Sequence, residues 1–360
     1  MENSYYERRI ELLRERMAGA NVDAFFTLAA PSMRYLTGFT GEEGYLLALH
    51  DGMHLVVDGR FTTQAQEECP WLDATLYTGH FSRSIANLLV AGHAHWLGFE
   101  KERVSFGQAE QMRAAFPSVT MVPTESVVEG MRMVKDTGEL GIMRAAGRVA
   151  DKAFNAMIGQ LKAGMTENDV AALLEYEMRK AGAQGTSFPT IVGSGARGAL
   201  PHGIASGKVI QSGDVIVIDF GVNYEGYMSD CTRTVALGEQ AADVLDVYAN
   251  LRGAQQLGLN CIKAGVSSRS VDTAVRGKLD ESGLAQYFTH GLGHGVGLEI
   301  HEVPRLSQGT DTVLEPGQVV TCEPGVYLPG RYGMRIEDSV IVTATGFESL
   351  TQLPKELVLP

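Results

Sequence analysis

The spacing of apolar positions changes along the chain, and each change marks an element. Ile10, Leu13 and Met17 recur at intervals of three and four, which predicts one face of a helix, and Gly19 suits its end. Continuous apolar runs at 23–28, 45–49 and 54–57 have the length of strands. With helical stretches between them they predict an α/β domain, and Val122-Pro123-Thr124 reads as its end. A long helix is predicted from Asp136, with Glu139 as its capping partner, and Ile142, Ala146, Val149, Ala153 and Met157 trace its buried face. These patterns divide the chain into domains 1–130 and 131–360.

In the second domain the pattern occurs twice. Lys162-Ala163-Gly164-Met165-Thr166 returns 101 residues later as Lys263-Ala264-Gly265-Val266-Ser267. Val170, Leu174 and Gly182 recur in phase as Val271, Val275 and Gly283, and 213–219 resembles 317–323. Each copy reads as long helix, Lys-Ala-Gly turn, second helix, loop and β-hairpin. Any one of these matches could arise by chance, but several in register favour a duplication. The expected fold class is therefore α/β (α+β): an N-terminal α/β domain, then one α+β domain with pseudo-twofold symmetry around a sheet. Two copies of this length do not make a solenoid.

Each predicted hairpin carries a pair of carboxylates. Residues 214–222 are an apolar run, Asn223-Tyr224-Glu225-Gly226 signals a turn, and 227–237 returns. A turn centred between Tyr224 and Glu225 places residues whose numbers sum to 449 opposite each other, which pairs Asp219 with Asp230. In the second hairpin a turn on Gly330 pairs residues summing to 660, and Glu323 meets Glu337. Opposed residues of antiparallel strands share a face, with Cβ atoms about 5 Å apart. A lone acidic residue in a strand is usually solvated at an edge. Four in apolar strands, gathered by the repeat, are untenable without cations, and two divalent ions would neutralise them.

Histidines add to this picture unevenly. His50, His54, His80, His93 and His95 form no pattern and read as surface or satisfied core residues. His290-Gly291-Leu292-Gly293-His294-Gly295-Val296-Gly297 alternates glycine with side chains, too much glycine for a helix. As an extended segment it presents His290, Leu292, His294 and Val296 on one face and bare glycine on the other, open to close packing of a strand or ligand. Beside four carboxylates, a histidine here is a candidate ligand. His202 lies in the turn-rich stretch 193–207, and His301 follows closely. No second histidine follows His301-Glu302 at the HExxH spacing, which removes the thermolysin type of zinc protease.

Composition narrows the classes. The chain has 360 residues, 44% apolar and 20% charged, which is ordinary for globular protein and argues against disorder. No apolar run approaches the ~18 residues a membrane span needs. A net charge of −13, from 43 acidic and 30 basic residues, disfavours nucleic acid as a partner. The four cysteines form no CxxC, and reduced thiols in a cytoplasmic protein are expected. The 42 glycines exceed the roughly 25 expected from average usage.

The motifs Ile218-Asp219-Phe220-Gly221, Ser229-Asp230-Cys231-Thr232-Arg233-Thr234, Gly293-His294-Gly295-Val296-Gly297, Glu323-Pro324-Gly325 and Arg335-Ile336-Glu337-Asp338 resemble those of the pita-bread metallopeptidases, in the aminopeptidase P and prolidase branch. Tyr35-Leu36-Thr37-Gly38-Phe39-Thr40-Gly41 and Asp58-Gly59-Arg60-Phe61 resemble the family's creatinase-like N-terminal domain. The resemblance covers nearly the whole chain. It implies an exopeptidase that cleaves between an N-terminal residue and a following proline, with metal ligands at Asp219, Asp230, His294, Glu323 and Glu337. It places Asp230 and Glu337 between two divalent ions, and His202, His290, His301 and Arg335 at substrate or proton-moving positions. Creatinase lacks the ligands, and methionine aminopeptidases usually lack the first domain, so both fit less well. The implied partners are small peptides with proline second, and the implied assembly is a homodimer or higher homo-oligomer.

The chemistry agrees with the residues. An oxygen-rich set with one imidazole favours manganese, with zinc or cobalt also fitting. A water between two such ions would lose a proton near neutral pH to give a hydroxide nucleophile. Glu323 can act as general base and pass the proton to the leaving nitrogen, and His301 or His202 can stabilise the oxyanion. Phe220, Leu292, Val296, Tyr327 and Tyr332 are expected to form the apolar slot for the proline ring, with the N-terminal domain limiting the chain ahead of it. The segment 37–41 leans the expectation towards an Xaa-Pro aminopeptidase acting on longer peptides. The alternative is an Xaa-Pro dipeptidase (prolidase), and a third reading is a non-catalytic binding module on the same fold.

Overall fold

A computed structural model describes residues 3–50 and 52–357. The chain divides into two compact units, Met1–Arg132 and Met133–Pro360. The first holds six strands, β1 (Ala24–Thr27), β2 (Tyr45–Leu49), β3 (Met53–Val57), β4 (Asp73–Leu76), β5 (Trp96–Glu100) and β6 (Thr120–Thr124). Its helices are α1 (Asn3–Gly19), α2 (Ala30–Thr37), α3 (Thr62–Glu68), α4 (Phe81–Ala91), α5 (Phe106–Ala115) and α6 (Val127–Arg132). The strands form one mixed sheet in the order β4-β3-β2-β1-β5-β6. Leu13 and Met17 of α1 are buried, as their spacing predicts. Phe26, Leu47, Val56 and Leu97 of the sheet pack with Ile85 and Leu89 of α4.

The second unit opens with α7 (Thr137–Ile158), capped reciprocally by Asp136 and Glu139 as expected. Then come α8 (Glu167–Ala181), β7 (Gly185–Thr186), β8 (Ile191–Ser194), β9 (Val215–Phe220), β10 (Val222–Tyr224), β11 (Tyr227–Met228) and β12 (Cys231–Ala236). The second copy supplies α9 (Ala242–Cys261), α10 (Ser268–Asp280), β13 (Gly293–Gly295), β14 (Glu302–Leu306), β15 (Val319–Cys322), β16 (Gly325–Leu328), β17 (Tyr332–Arg335), β18 (Asp338–Val342) and β19 (Phe347–Ser349). The repeat is one of backbone conformation as well as of sequence. Gly164 and Gly265 both turn with positive φ, +93° and +82°, which a side chain would disfavour. Thr166 and Ser267 cap the helices that follow.

Each copy has its own core. Phe154 stacks on Phe220 among Ile216, Ile218 and Leu174 in the first. Leu292, Val320, Val340 and Met334 meet Leu251 and Val275 in the second. Sheets β12-β9-β8 and β14-β13-β15-β18-β19 carry the strands of interest.

The two hairpins differ in how well the sequence anticipates them. In the second, Val319 pairs with Ile341 and Gly325 with Arg335, the expected register. In the first, Tyr224 pairs with Tyr227 and Asp219 with Thr232, so the predicted pairing of Asp219 with Asp230 is displaced by two residues. The cause is the turn. Glu225 and Gly226 both have positive φ, +46° and +77°, and form a two-residue reversal one position later than predicted. A shift of two leaves every side chain on its original face, so Asp230 remains beside Asp219, diagonally.

Candidate metal centre

Strand alternation delivers the acidic residues to one place. Asp219 is the penultimate residue of β9, and Asp230 directly precedes β12. Glu323 follows β15 and Glu337 precedes β18, at the break where the second hairpin passes from one sheet to another. His294 sits in the middle of β13, where a bulge follows it. Gly293 lets β13 approach its neighbour closely, because a Cβ there would stand 2.1 Å from the Thr321 carbonyl oxygen. The glycine face therefore admits a strand. The predicted side-chain face is split: Leu292 belongs to the core, while His290 and His294 line a cavity.

That cavity, about 510 Å³, is lined by Asp219, Asp230, His294, Glu323 and Glu337, and also by His202, His290, His301 and Arg335. Every residue expected from the sequence as a metal ligand or as a histidine or arginine of the site thus borders one space. Asp230, His294 and Glu337 form its tightest group, each offering a ligand atom within 4.8 Å of the others. His294 Nε2 lies 3.3 Å from Glu323 Oε1 and 3.5 Å from Asp230 Oδ2. Its Nδ1 is 3.0 Å from the Gly295 carbonyl, which can only accept, so Nδ1 carries the proton and Nε2 presents its lone pair to the carboxylates.

The charge balance calls for cations. Burial raises the Asp230 carboxyl well above its usual range, and the Glu337 and Asp219 charges add to the effect. Burial likewise raises Glu337, with Glu323 and Asp219 pushing the same way. Asp219 is raised by burial against the opposing pull of Arg335. Glu323 goes the other way: burial is outweighed by its polar neighbours His294 and His290 and by the Arg335 guanidinium, which hold it low. Asp219 Oδ1 and Glu337 Oε1 are buried with no hydrogen-bond partner among the described residues. Unpartnered carboxylate oxygens aimed at a cluster of carboxylates and one imidazole lone pair fit divalent cations.

Around this group runs a set of donors. Arg335 Nη2 donates to Asp219 Oδ2 at 2.5 Å, Nε to Thr232 Oγ1 at 3.1 Å, and Nη1 to the Pro201 carbonyl at 3.0 Å. Thr232 donates to Glu337 Oε2 at 2.7 Å. Arg335 also donates to Tyr327 Oη, 2.7 Å away, so the tyrosine hydroxyl gives its own proton to His290 Nε2 at 2.9 Å. His301 stands edge-on to His294, with ring centroids 4.4 Å apart.

The predicted apolar slot is corrected by the structure. Phe220, Leu292 and Tyr332 belong to the two cores, Val296 is buried, and Tyr327 serves the hydrogen-bond chain; none of them lines the cavity. Phe220 follows Asp219 in a strand and so points to the opposite face. The apolar wall is instead Phe188, Pro189, Ile191, Ile204 and Ile300. Sequence reasoning also missed Arg305, which borders the cavity, pairs with His294 across β13 and β14, and makes no salt bridge among the described residues. Only knowledge of that strand pairing could have brought it forward.

Residues 141–344 match the model of metallopeptidase family M24, and residues 9–134 match that of the creatinase/prolidase N-terminal domain. An Xaa-Pro dipeptidase from Bacillus anthracis has a similar structure, with a TM-score of 0.96 and 39% identity over 99% of this chain and 100% of its own. An X-Pro aminopeptidase structure from Thermotoga maritima has a TM-score of 0.90 and 39% identity, covering 96% of this chain and 100% of its own. The Xaa-Pro dipeptidase of Pyrococcus horikoshii is 34% identical, over 97% of this chain and 98% of its own.

Proposed function

The chain belongs to metallopeptidase family M24, and on that premise we propose that it is an Xaa-Pro dipeptidase working with two divalent cations. Its catalytic unit has the pita-bread fold of its structural neighbours. The preference for longer peptides expected from the sequence gives way to the dipeptidase alternative, because full-length relatives carry that name. The observation that carries the choice is Arg305, a cation on the wall of the cavity with no salt bridge among the described residues. A dipeptide ending in proline puts a free carboxylate one residue beyond the scissile bond, and Arg305 is suited to receive it. In a longer peptide that position is a neutral amide.

Asp219, Asp230, His294, Glu323 and Glu337 would hold the cations, with manganese favoured by the oxygen-rich set. When bound, the cations supply Lewis acidity at the scissile carbonyl and make water a nucleophile at neutral pH. Glu323 Oε1 accepts the Thr321 hydroxyl at 3.3 Å and lies 3.3 Å from His294 Nε2, which leaves Oε2 to take a proton. From there the proton passes to the proline nitrogen, which has no hydrogen in the peptide and must gain one to leave. Burial and the His294 and Arg305 charges hold His301 down to about 4, so it is neutral near pH 7 and can donate an N–H to the developing oxyanion. His202, which also lines the cavity, serves the same oxygen. Phe188, Ile191, Ile204 and Ile300 shelter the pyrrolidine ring and the first side chain.

A second reading, an Xaa-Pro aminopeptidase, is favoured by the Thermotoga maritima neighbour. Protein stripped of metal and reloaded with manganese should be offered Xaa-Pro and Xaa-Pro-Yaa peptides side by side. Dipeptides are expected to have the higher kcat/KM, and Arg305→Ala should raise their KM about 10- to 100-fold, the worth of one charged hydrogen bond. Faster hydrolysis of the tripeptides, with no effect of Arg305→Ala, would establish the aminopeptidase instead.

A further inference from the structure

Glu167 occupies the first position of α8 and is completely buried, yet it does not line the cavity. Its carboxylate is saturated. Oε1 accepts the Ser194 N–H and hydroxyl, both at 2.8 Å. Oε2 accepts Arg197 Nε at 2.9 Å, the Ser206 N–H at 3.1 Å and the Ser206 hydroxyl at 2.6 Å. Ser194 ends β8 and Ser206 lies where the chain returns, so a single side chain closes the whole loop between them. Arg197 Nη2 then crosses the loop to the Ile204 carbonyl at 2.8 Å. The start of α8 holds the returning limb as well. Glu167 N–H donates to Lys208 O and Asn168 N–H to Ser206 O, both at 3.0 Å, which uses amides that a helix end would otherwise leave free.

This loop carries His202 and Ile204 to the cavity wall, and its Pro201 carbonyl receives Arg335. The carboxylate is therefore joined to the site through the loop it closes, without touching the site itself. We propose that Glu167 is a positioning residue for His202: it sets the 195–205 loop so that the imidazole faces the reacting carbonyl. The role of His202 rests on the proposed function; the clamp does not. Glutamine is nearly the same size but cannot do this work. Its single oxygen cannot replace two acceptors, and its amide would face donors from Ser194, Arg197 or Ser206.

The test pairs kinetics with hydrogen exchange. In manganese-loaded protein, Glu167→Gln is expected to lower kcat for an Xaa-Pro substrate about 10- to 100-fold, as small misplacements of positioned groups do, with a smaller change in KM. Bound metal should equal that of the parent. In a His202→Ala background the same change should cost less than about twofold, because the group it positions is gone. In metal-free protein, the amides of 194–206 should exchange faster in Glu167→Gln while those of β9 and β15 do not change. Ser206→Ala, which removes one of the five hydrogen bonds, should shift the same quantities less and serves if Glu167→Gln fails to fold. Losses that multiply in the double variant, or unaltered exchange in the loop, would overturn the proposal. Full activity of His202→Ala would instead sink the part given to His202 in the proposed function, and the exchange experiment would still decide the clamp.

Discussion

Glu100 and Asp230 are both buried carboxylates, and their neighbours give them opposite fates. Glu100 closes β5 and accepts hydrogen bonds from the hydroxyls of Thr27 and Ser32. Burial first, and then the Glu129 charge, push its carboxyl up to about 7. The folded state therefore binds a proton that the unfolded chain releases near 4.5. Stability from this group is full below pH 4.5 and drains away as pH rises to about 7, a difference of about 3 kcal/mol. Glu100→Gln should flatten that slope, which denaturant unfolding of the full chain at pH 5 and pH 8 can measure. Identical slopes for both proteins would show that Glu100 ionises freely in the fold. Among the described residues no hydroxyl reaches the Asp230 carboxylate, which faces those of Glu337, Asp219 and Glu323, so a cation would relieve it. Asp230→Ala is expected to lose bound metal and activity together. His301→Ala should retain the metal and lose about 10²- to 10³-fold in kcat, the usual worth of an oxyanion donor. Metal analysis after dialysis, beside turnover, separates the two; metal loss in His301→Ala would make that histidine a ligand.

At the scale of elements, the centre depends on strands that pack closer than side chains permit. β13 carries His294 between β14 and β15, and its flanking glycines have carbonyls where a Cβ would go: Thr321 O at 2.1 Å from Gly293 and Val303 O at 2.3 Å from Gly295. Gly293→Ala is expected to destabilise the protein by about 1–3 kcal/mol, typical of overpacking. It should also weaken metal binding, since β13 must move and His294 moves with it. Unchanged metal affinity in a destabilised Gly293→Ala protein would show that His294 is placed independently of its strand. The helices act by their ends: the reciprocal cap of Asp136 and Glu139 starts α7, and Glu167 at the head of α8 ties down a loop. These features differ in how far the sequence shows them. The Asp136–Glu139 cap is visible as a spacing of three. The Glu167 clamp joins residues 27 and 39 positions away and has no local pattern.

At the scale of the molecule, two copies of one supersecondary unit each bring a carboxylate pair to a shared cavity. Cations held there would link both halves of the second unit, and by mass action they bind the folded state alone. At a concentration 100 times its Kd, one ion stabilises by about 2.7 kcal/mol. Stripping the metal should lower Tm by roughly 5–10 °C for a unit of this size, and manganese should restore it. Calorimetry with and without chelator is the measurement, and a Tm indifferent to both would argue that the cavity holds no ion. Among the described residues no helix is long and apolar enough to cross a membrane.

The sequence by itself determined the repeat, the strands at 45–49 and 319–342, the register of the second hairpin, and the residue types gathered at the centre. These are properties of spacing: alternation and helical period depend only on which residues stand near one another along the chain. Only the tertiary structure decided the rest. The first hairpin turned one residue late, because two consecutive left-handed residues, Glu225 and Gly226, set the reversal. The apolar wall came from Phe188, Ile191, Ile204 and Ile300 rather than from the neighbours of the proposed ligands, because a strand sends adjacent side chains to opposite faces. Arg305 reached the cavity through strand pairing with β13, and Glu167 reached the His202 loop through hydrogen bonds that span distant parts of the chain. Contacts between distant positions leave no period in a single sequence, and folding alone brings those residues together.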